Sequence, residues 1–222
     1  MQATYRAIPE DFARQRARMV EEQLRNRGIR DERVLAAMAR VPREPFVDPH
    51  YQQQAYDDNP LPIGEGQTIS QPFMVATMVE ALQVEPSNRV LEVGGGTGYE
   101  AAILAELAAE VWTVERIAVL ANRARDILQR LGYSTVHVVC ADGSLGLPER
   151  APFDRILVAA SAPQAPPSLI DQLAIGGRLV VPVGNRIEQQ LQVIRKTEEG
   201  VVASPYVLCS FVPLLGVEGW RT

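Results

Sequence analysis

Three glycines and one acidic residue stand at spacings that matter for ligand binding. Gly94, Gly96 and Gly98 come directly after the apolar run 89–93, and a helix-forming run follows them. This order predicts a strand, a tight turn and a helix, where a ligand can approach the backbone and meet the free N–H groups of the helix start. Glu115 ends the next apolar run, about 20 residues later, where an acidic side chain commonly binds ribose hydroxyls. The pattern therefore predicts a nucleoside-containing ligand.

The neighbours of these glycines discriminate between two kinds of nucleoside ligand. A dinucleotide-binding turn has its third glycine three residues after the second, but this chain has Tyr99 there. Glu92 lies two residues before the first glycine, where a carboxylate would repel a pyrophosphate and attract a cation. S-adenosylmethionine joins an adenosine to a sulfonium and an ammonium group. Together with Glu115 and Asp142, the pattern favours a methyltransferase over a dinucleotide-binding enzyme.

Alternating strands and helices must position these residues. The hydrophobic periodicity predicts strands over 89–93, 111–115, 136–140 and 153–159, and helices over 97–108, 118–131 and 167–174. Such alternation predicts a parallel sheet covered on both faces, with ligand groups at the carboxyl ends of the strands. Further strands are predicted over 179–183, 190–195 and 206–214. Because these follow at short intervals, we expect the sheet to finish with antiparallel members.

The part of the chain before this core is predicted to contain helices and a long loop. Apolar spacing predicts a helix over 10–26, ended by Gly28, and a second, shorter helix after Asp31. Residues 51–71 are polar and rich in turn residues, which predicts a loop without regular structure of its own. Long ordered loops of this kind often have a function.

Composition limits the class of protein and its partners. The 222 residues are 46% apolar and 22% charged, which is typical of one globular domain, and the net charge of −5 argues against non-specific nucleic-acid binding. No apolar run reaches the roughly 18 residues that a membrane span needs, and residues 1–18 lack the apolar core of a secretory signal. Cys140 and Cys209 stand alone in apolar runs, which predicts buried free thiols in a reducing compartment. We therefore expect a cytoplasmic, monomeric protein that binds neither nucleic acid nor membranes.

The chain also resembles the protein-L-isoaspartate (D-aspartate) O-methyltransferase family over about residues 14 to 219. The most specific stretch is residues 61–72, which read LPIGEGQTISQP. Other matching stretches follow in family order: 41–44 (VPRE), 46–47, 90–99, 114–117, 142–143, 151–154, 182–184 and 211–214. The run over 61–72 is decisive, because methyltransferases in general have no reason to contain it.

This resemblance implies a fold and a reaction. The fold would be a doubly wound, seven-stranded, Rossmann-like α/β sheet with its last strand antiparallel and an N-terminal helical extension. It would form one domain over 1–222, in which residues 1–71 contain the N-terminal helices and a loop that covers the substrate and cofactor, and residues 72–222 make the α/β core. The reaction would be methyl transfer from S-adenosylmethionine to the free carboxylate of L-isoaspartyl and D-aspartyl residues in damaged proteins and peptides, which starts repair through a succinimide.

The resemblance also assigns site residues. Ser70 would be the active-site serine, and Gln67 and Gln189 would contact the substrate with it. The residues implied to bind the cofactor are Thr68, Ile69, Ser70, Glu92, Gly94, Gly96, Gly98, Glu115, Arg116, Asp142 and Gly143. The adenine would lie near Asp142-Gly143, and no metal is expected. Read without the resemblance, Ser70 would only cap the helix that Pro72 begins, and Asp142-Gly143 would only form a turn.

A carboxylate substrate can be methylated without a general base. Its pKa is near 4, so the nucleophile is already ionised at neutral pH and needs no general base. This agrees with the two histidines, His50 and His137, which lie outside every candidate motif. The enzyme must align the reactants and exclude water while their opposite charges cancel. Ser70 would donate a hydrogen bond that orients the substrate carboxylate or backbone.

The chain departs from the family pattern at four positions, which leaves other functions open. Gly95 stands where Thr is usual, Glu100 where Gln is usual, Ala141 where Gly is usual and Ala159 where Thr is usual. Ala159 removes a hydroxyl that Ser161 could restore. One alternative function is a tailoring enzyme that methylates an aspartate of a single peptide partner. Another is a non-catalytic module that only binds the cofactor.

Overall fold

A seven-stranded sheet forms the centre of the protein in the computed structural model, which describes residues 11–221. Helices flank the sheet and a short hairpin precedes it. In chain order the elements are α1 (Phe12–Arg18), α2 (Glu32–Arg40), β1 (Leu61–Gly64), β2 (Gln67–Ile69), α3 (Pro72–Leu82), β3 (Arg89–Val93), α4 (Tyr99–Ala105), β4 (Glu110–Glu115), α5 (Ala118–Arg130), β5 (Val136–Cys140), β6 (Phe153–Val158), α6 (Pro167–Asp171), β7 (Leu173–Gly184), β8 (Gln189–Thr197) and β9 (Gly200–Cys209). Within residues 11–221, no helix is both long and apolar enough to cross a membrane.

The strands of the main sheet lie in the order β5-β4-β3-β6-β7-β8-β9. The five strands from β5 to β7 pair in parallel, whereas β8 pairs antiparallel with both β7 and β9. The predicted seven-stranded fold with an antiparallel last strand is therefore confirmed. The chain order reverses between β3 and β6, so the carboxyl ends of these two strands are where ligands of such a sheet bind.

Strand β3 is buried on both faces and thereby places an acidic side chain inside the protein. Val90 belongs to the buried cluster that includes the N-terminal helices, whereas Leu91 and Val93 belong to the cluster on the other face. Side chains alternate between the faces along a strand, so Glu92 points to the same face as Val90. Glu92 has no exposed surface.

The N-terminal region agrees with its prediction in outline and differs in one segment. The helix predicted over 10–26 begins at Phe12, continues in irregular turns to Arg27 and ends at Gly28, whereas residue 10 lies outside the described residues. The predicted loop over 51–71 contains the hairpin β1–β2, so the expectation that it lacks regular structure is wrong. Strands of four and three residues are too short to produce a recognisable alternation.

The last strand lies earlier in the chain than the sequence predicts. β9 spans Gly200–Cys209. The strand predicted over 206–214 extends past this end, and of its residues after Cys209 only Pro213 pairs, in an isolated bridge with Ser161. β9 is an edge strand with nearly every side chain exposed, so it lacks the alternating apolar pattern that would identify it. Burial of the cysteines was also predicted wrongly, since Cys140 is exposed at the end of edge strand β5 and Cys209 is half-buried.

Candidate active site

The carboxyl ends of β3, β4 and β6 meet at the glycine turn. Gly94 and Gly96 have φ angles of 91° and 53°, which glycine adopts without strain. The N–H of Gly94 donates a hydrogen bond to the carbonyl oxygen of Val114 at 2.8 Å, and the N–H of Ala159 donates one to the carbonyl oxygen of Val93 at 2.8 Å. The turn is therefore fixed by the strands on both sides of β3.

Glu115 joins the end of β4 to the glycine turn. Its Oε2 accepts a hydrogen bond from the Gly96 N–H at 2.9 Å, and its Oε1 accepts one from the Ile117 N–H at 2.8 Å. Each carboxylate oxygen has a second lone pair, so this arrangement leaves acceptors for the hydroxyls of a ribose.

Three adjacent spaces surround the turn. The inner cleft lies between the hairpin, the turn and the C-terminal segment, and its lining includes Ile63, Gln67, Thr68, Gly94, Gly96, Val114, Glu115, Arg116, Ile117, Gly143, Val212 and Leu214. The acidic cavity, about 40 Å³, lies beneath the turn and is lined in part by Thr68, Ile69, Ser70, Glu92, Gly95, Tyr99 and Glu100. The outer groove, about 600 Å³, is lined in part by Ser70, Gln71, Met74, Leu208, Ser210, Phe211 and Val212. Thr68 and Ala159 line all three spaces.

Ser70 lies where the acidic cavity meets the outer groove, and a buried arginine fixes its backbone. Arg43 Nη2 donates a hydrogen bond to the Ser70 carbonyl oxygen at 2.7 Å, and Arg43 Nε donates one to the Ala55 carbonyl oxygen at 2.7 Å. The guanidinium lies 4.8 Å from the ring centre of Tyr99. The sequence contains a signal for Arg43, because it falls in the matching stretch 41–44, but its role depends on a contact between distant segments.

Two carboxylates lie in the acidic cavity. Glu92 has no exposed surface and Glu100 is 7% exposed. Burial raises the pKa of Glu92 to about 7; the nearby Thr113 hydroxyl opposes this rise and the negative charge of Glu115 adds to it. Burial also holds the pKa of Glu100 well above its ordinary value, and the neighbouring Glu92 contributes in the same direction. Glu92 is a candidate from its position before the glycine turn, whereas the sequence marks Glu100 only as a departure from the family pattern.

Three of the predicted contact residues line none of these spaces, namely Gly98, Asp142 and Gln189, as far as residues 11–221 define them. A Cβ on Gly98 would lie 2.9 Å from Leu128 Cδ1, so this glycine allows α4 to pack closely on α5. Gln189 donates a hydrogen bond to the Asn185 carbonyl oxygen at 2.6 Å and accepts one from the Phe211 N–H at 2.8 Å. Gln189 therefore stands behind the groove and fixes Phe211, which lines it.

Asp142 binds the backbone next to the inner cleft. It accepts hydrogen bonds from the Ser144 N–H at 2.9 Å and from the Val217 N–H at 2.9 Å. Burial alone would raise the pKa of Asp142, but the hydrogen bonds from Val217 and Ser144 lower it below its ordinary value. Asp142 thereby holds Gly143 in place, and the backbone of Gly143 does line the inner cleft.

The structure explains one departure from the family pattern and leaves another uncompensated. A Cβ on Gly95 would overlap Thr113 Oγ1, so the hydroxyl of Thr113 occupies the space that a side chain at position 95 would need. Ser161 does not restore the hydroxyl missing at Ala159, because it is buried and its Oγ donates to the carbonyl oxygens of Phe211 and Val212 at 3.3 Å.

These features fit S-adenosylmethionine. The inner cleft has apolar walls for an adenine ring, and Glu115 has acceptors for a ribose. The acidic cavity provides unpaired carboxylate oxygens for a positive charge, since within residues 11–221 both oxygens of Glu92 and Oε1 of Glu100 lack a hydrogen-bond partner. Buried carboxylates without a partner are energetically unfavourable unless a cation or proton compensates them.

Comparison with known proteins agrees with this geometry. A family model described as protein-L-isoaspartate(D-aspartate) O-methyltransferase matches residues 14–219. A protein-L-isoaspartate O-methyltransferase of Koribacter versatilis is 56% identical over 209 residues, which cover 94% of each chain. The protein-L-isoaspartate O-methyltransferase 2 of Marinobacter nauticus is 54% identical over 213 residues, which cover 95% of this chain and 97% of the relative.

Solved structures give the same result. One protein-L-isoaspartate O-methyltransferase superposes with a TM-score of 0.83 at 31% identity, over 92% of this chain and 67% of the other. A Plasmodium falciparum protein described by the same activity, in complex with S-adenosyl-L-homocysteine, superposes with a TM-score of 0.78 at 27% identity, over 89% of this chain and 96% of the other.

Proposed function

The chain belongs to the protein-L-isoaspartate (D-aspartate) O-methyltransferase family, and from this premise we propose how its residues perform the reaction. The protein is an S-adenosylmethionine-dependent enzyme that methylates the carboxylate of isoaspartyl residues in damaged proteins. When bound, the cofactor supplies an activated methyl group on a positively charged sulfur. The observation that supports our assignment of roles is the position of Ser70 between the acidic cavity and the outer groove.

We propose that the inner cleft and the acidic cavity hold the cofactor and that the outer groove holds the substrate peptide. Glu115 binds the ribose, the backbone of Gly143 lies against the adenine, and Glu92 faces the positive charge. Ser70 donates a hydrogen bond from its hydroxyl that aims the substrate carboxylate at the methyl group. Ile63, from the hairpin, lines both the cleft and the cavity, so the hairpin excludes water from the reacting charges.

An extended peptide suits the outer groove. One wall comes from the segment that ends β9, where Leu208 is 77% exposed, and the other comes from Gln71 and Met74. Leu208 adds apolar surface to this wall, and a flexible, damaged segment can adopt the extended conformation that a groove accepts. Gln189 contributes indirectly, by holding Phe211 in the wall.

The experiment that tests this function is transfer of a radiolabelled methyl group to an isoaspartyl peptide and to its normal aspartyl twin. We expect labelling of the isoaspartyl peptide and base-labile release of methanol from it. Equal labelling of both peptides would favour the tailoring enzyme instead. Tight binding of S-adenosylhomocysteine without any methyl transfer would favour the non-catalytic module.

We infer that the protein works as a monomer in the cytoplasm on isoaspartyl-containing proteins and peptides, apart from nucleic acids and membranes. The net charge of −5 supports this, because a nucleic-acid or anionic membrane surface attracts basic proteins. Size-exclusion chromatography with light scattering tests the monomer directly.

A further inference from the structure

Unpaired polar atoms concentrate at one place in the protein. Within residues 11–221, the buried atoms without a hydrogen-bond partner include both carboxylate oxygens of Glu92, Oε1 of Glu100 and Nη1 of Arg43, and the Thr113 hydroxyl lies close enough to Glu92 to lower its pKa. Glu92 and Glu100 line the acidic cavity, and the hydroxyl of Thr113 lies against Gly95, which lines it too. Such atoms are rare in folded proteins, and a cluster of them indicates a bound group that supplies the missing contacts.

The charged groups around the cavity leave its two carboxylates incompletely balanced. Arg43 is the cation that acts on Glu100, but its hydrogen bonds go to the carbonyl oxygens of Ala55 and Ser70. Glu115 adds a negative charge near Glu92, and its own oxygens are already bonded to backbone N–H groups. Tyr99, the remaining titratable group in the lining, contacts the guanidinium of Arg43. One buried guanidinium therefore faces two buried carboxylates and the charge of Glu115.

Two carboxyl groups in one dry cavity do not both ionise easily. Burial and mutual repulsion raise the pKa of both Glu92 and Glu100, so the pair retains a proton at a pH where exposed glutamates have lost theirs. The cavity of about 40 Å³ has room for a group of the size of an ammonium ion or a few water molecules.

We infer that Glu92 and Glu100 share one proton while the site is empty, and that the positively charged end of the cofactor displaces this proton to solvent when it binds beside them. This inference rests on the proposed function, because it takes S-adenosylmethionine as the ligand. It gives Glu100 a role in cofactor binding that a neutral side chain at this position cannot have. The affinity of this enzyme for its cofactor is thereby coupled to pH.

Isothermal titration calorimetry of S-adenosylhomocysteine, which has the ammonium group, measures the proton directly. The titrations are made at about pH 8, where Glu92 is mostly ionised if no second carboxyl group stands beside it. Titrations in two buffers of different ionisation enthalpy give the number of protons released. We expect release of about one proton by the wild-type enzyme, and far less by Glu100→Gln. The control is Glu149→Gln, an exposed glutamate that lines none of the three spaces, which should behave like the wild type.

Affinity and infrared spectra provide two further measurements. The dissociation constant of the wild type should fall by up to about tenfold per pH unit while the pair is protonated, and that of Glu100→Gln should be nearly constant at the same pH values. In infrared spectra the wild type should show the absorption of a protonated carboxyl group, which disappears when S-adenosylhomocysteine is added. This measurement needs only the wild type, so it does not depend on whether Glu100→Gln folds. Binding without proton release and without this spectral change would overturn the inference and leave the proposed function intact. Failure of the wild type to bind either cofactor form would instead overturn the proposed function.

Discussion

The guanidinium of Arg43 donates a hydrogen bond to the carbonyl oxygen of Ser70 at 2.7 Å. Arg43 is fully buried, and its second contact, with the Ala55 carbonyl oxygen, anchors it in the segment that precedes the hairpin. Ser70 is the last residue but one before α3, so the bond determines where the hairpin joins that helix. Arg43 is therefore a positioning residue for the proposed active-site serine.

Arg43→Lys tests this relationship. Lysine keeps the positive charge but lacks the planar fork that reaches two carbonyl oxygens, and an unsatisfied buried carbonyl costs about 1–3 kcal/mol. We expect turnover to fall by roughly tenfold and the affinity for S-adenosylhomocysteine to change little. In a Ser70→Ala background the same substitution should have almost no further effect on turnover. Arg40→Lys, on the exposed side of α2 where Arg40 pairs with Glu106, is the control.

Ser70→Ala tests the role of the hydroxyl itself. A hydrogen bond to a charged group contributes about 1.5–3 kcal/mol, so its loss should reduce turnover by roughly 10- to 100-fold. Cofactor affinity should remain within about twofold, because the hydroxyl is assigned to the substrate. Ser87→Ala removes an exposed hydroxyl from the turn before β3, which lines none of the three spaces, and should leave turnover unchanged. Equal effects of the two substitutions would contradict the assignment.

Much of the fold follows from local sequence patterns. Strand β3 was predictable because its buried apolar run ends at Gly94, strand β4 because it is itself a buried apolar run, and helix α3 because it begins at Pro72. The hairpin and β9 were not predictable, since the first is too short for periodicity and the second is an exposed edge. Local pattern reveals an element only where one of its faces is buried over several residues.

Spacing brought together some of the residues around the glycine turn, but not the contacts between them. The glycine turn and Glu115 could be identified by spacing, and the structure places them together. The contact of Arg43 with Ser70 and the overlap of Thr113 with position 95 join segments distant in sequence. No spacing rule encodes such contacts, because they depend on which strands become neighbours in the sheet.

The stability of the cofactor-free protein should depend on the buried pair of carboxyl groups. The pKa of Glu92 is about 7 in the folded protein and ordinary in the unfolded chain, so between these values the folded state binds more protons. The contribution of the protonated carboxyl groups to the free energy of unfolding is therefore fully present at acidic pH. It is lost as the pH rises through about 7, by at most about 1.4 kcal/mol per pH unit for each group. Urea unfolding at several pH values should show that the free energy of unfolding falls less steeply with pH for Glu92→Gln than for the wild type. Identical slopes would show that Glu92 ionises as freely in the folded protein as in the unfolded chain.

Gly95 and Thr113 should behave as a coupled pair. A Cβ at position 95 would overlap Thr113 Oγ1 and lie 3.3 Å from Glu92 Oε2, so Gly95→Ala should destabilise the protein by about 1–3 kcal/mol through overpacking. Thr113→Ala removes the obstructing hydroxyl, and the double variant should recover most of that loss. Thr113→Val leaves a methyl group in the same space, so it should not rescue Gly95→Ala. Urea unfolding of all these variants gives the coupling energy of the double-mutant cycle, and additive effects within about 0.5 kcal/mol would contradict the proposed overlap.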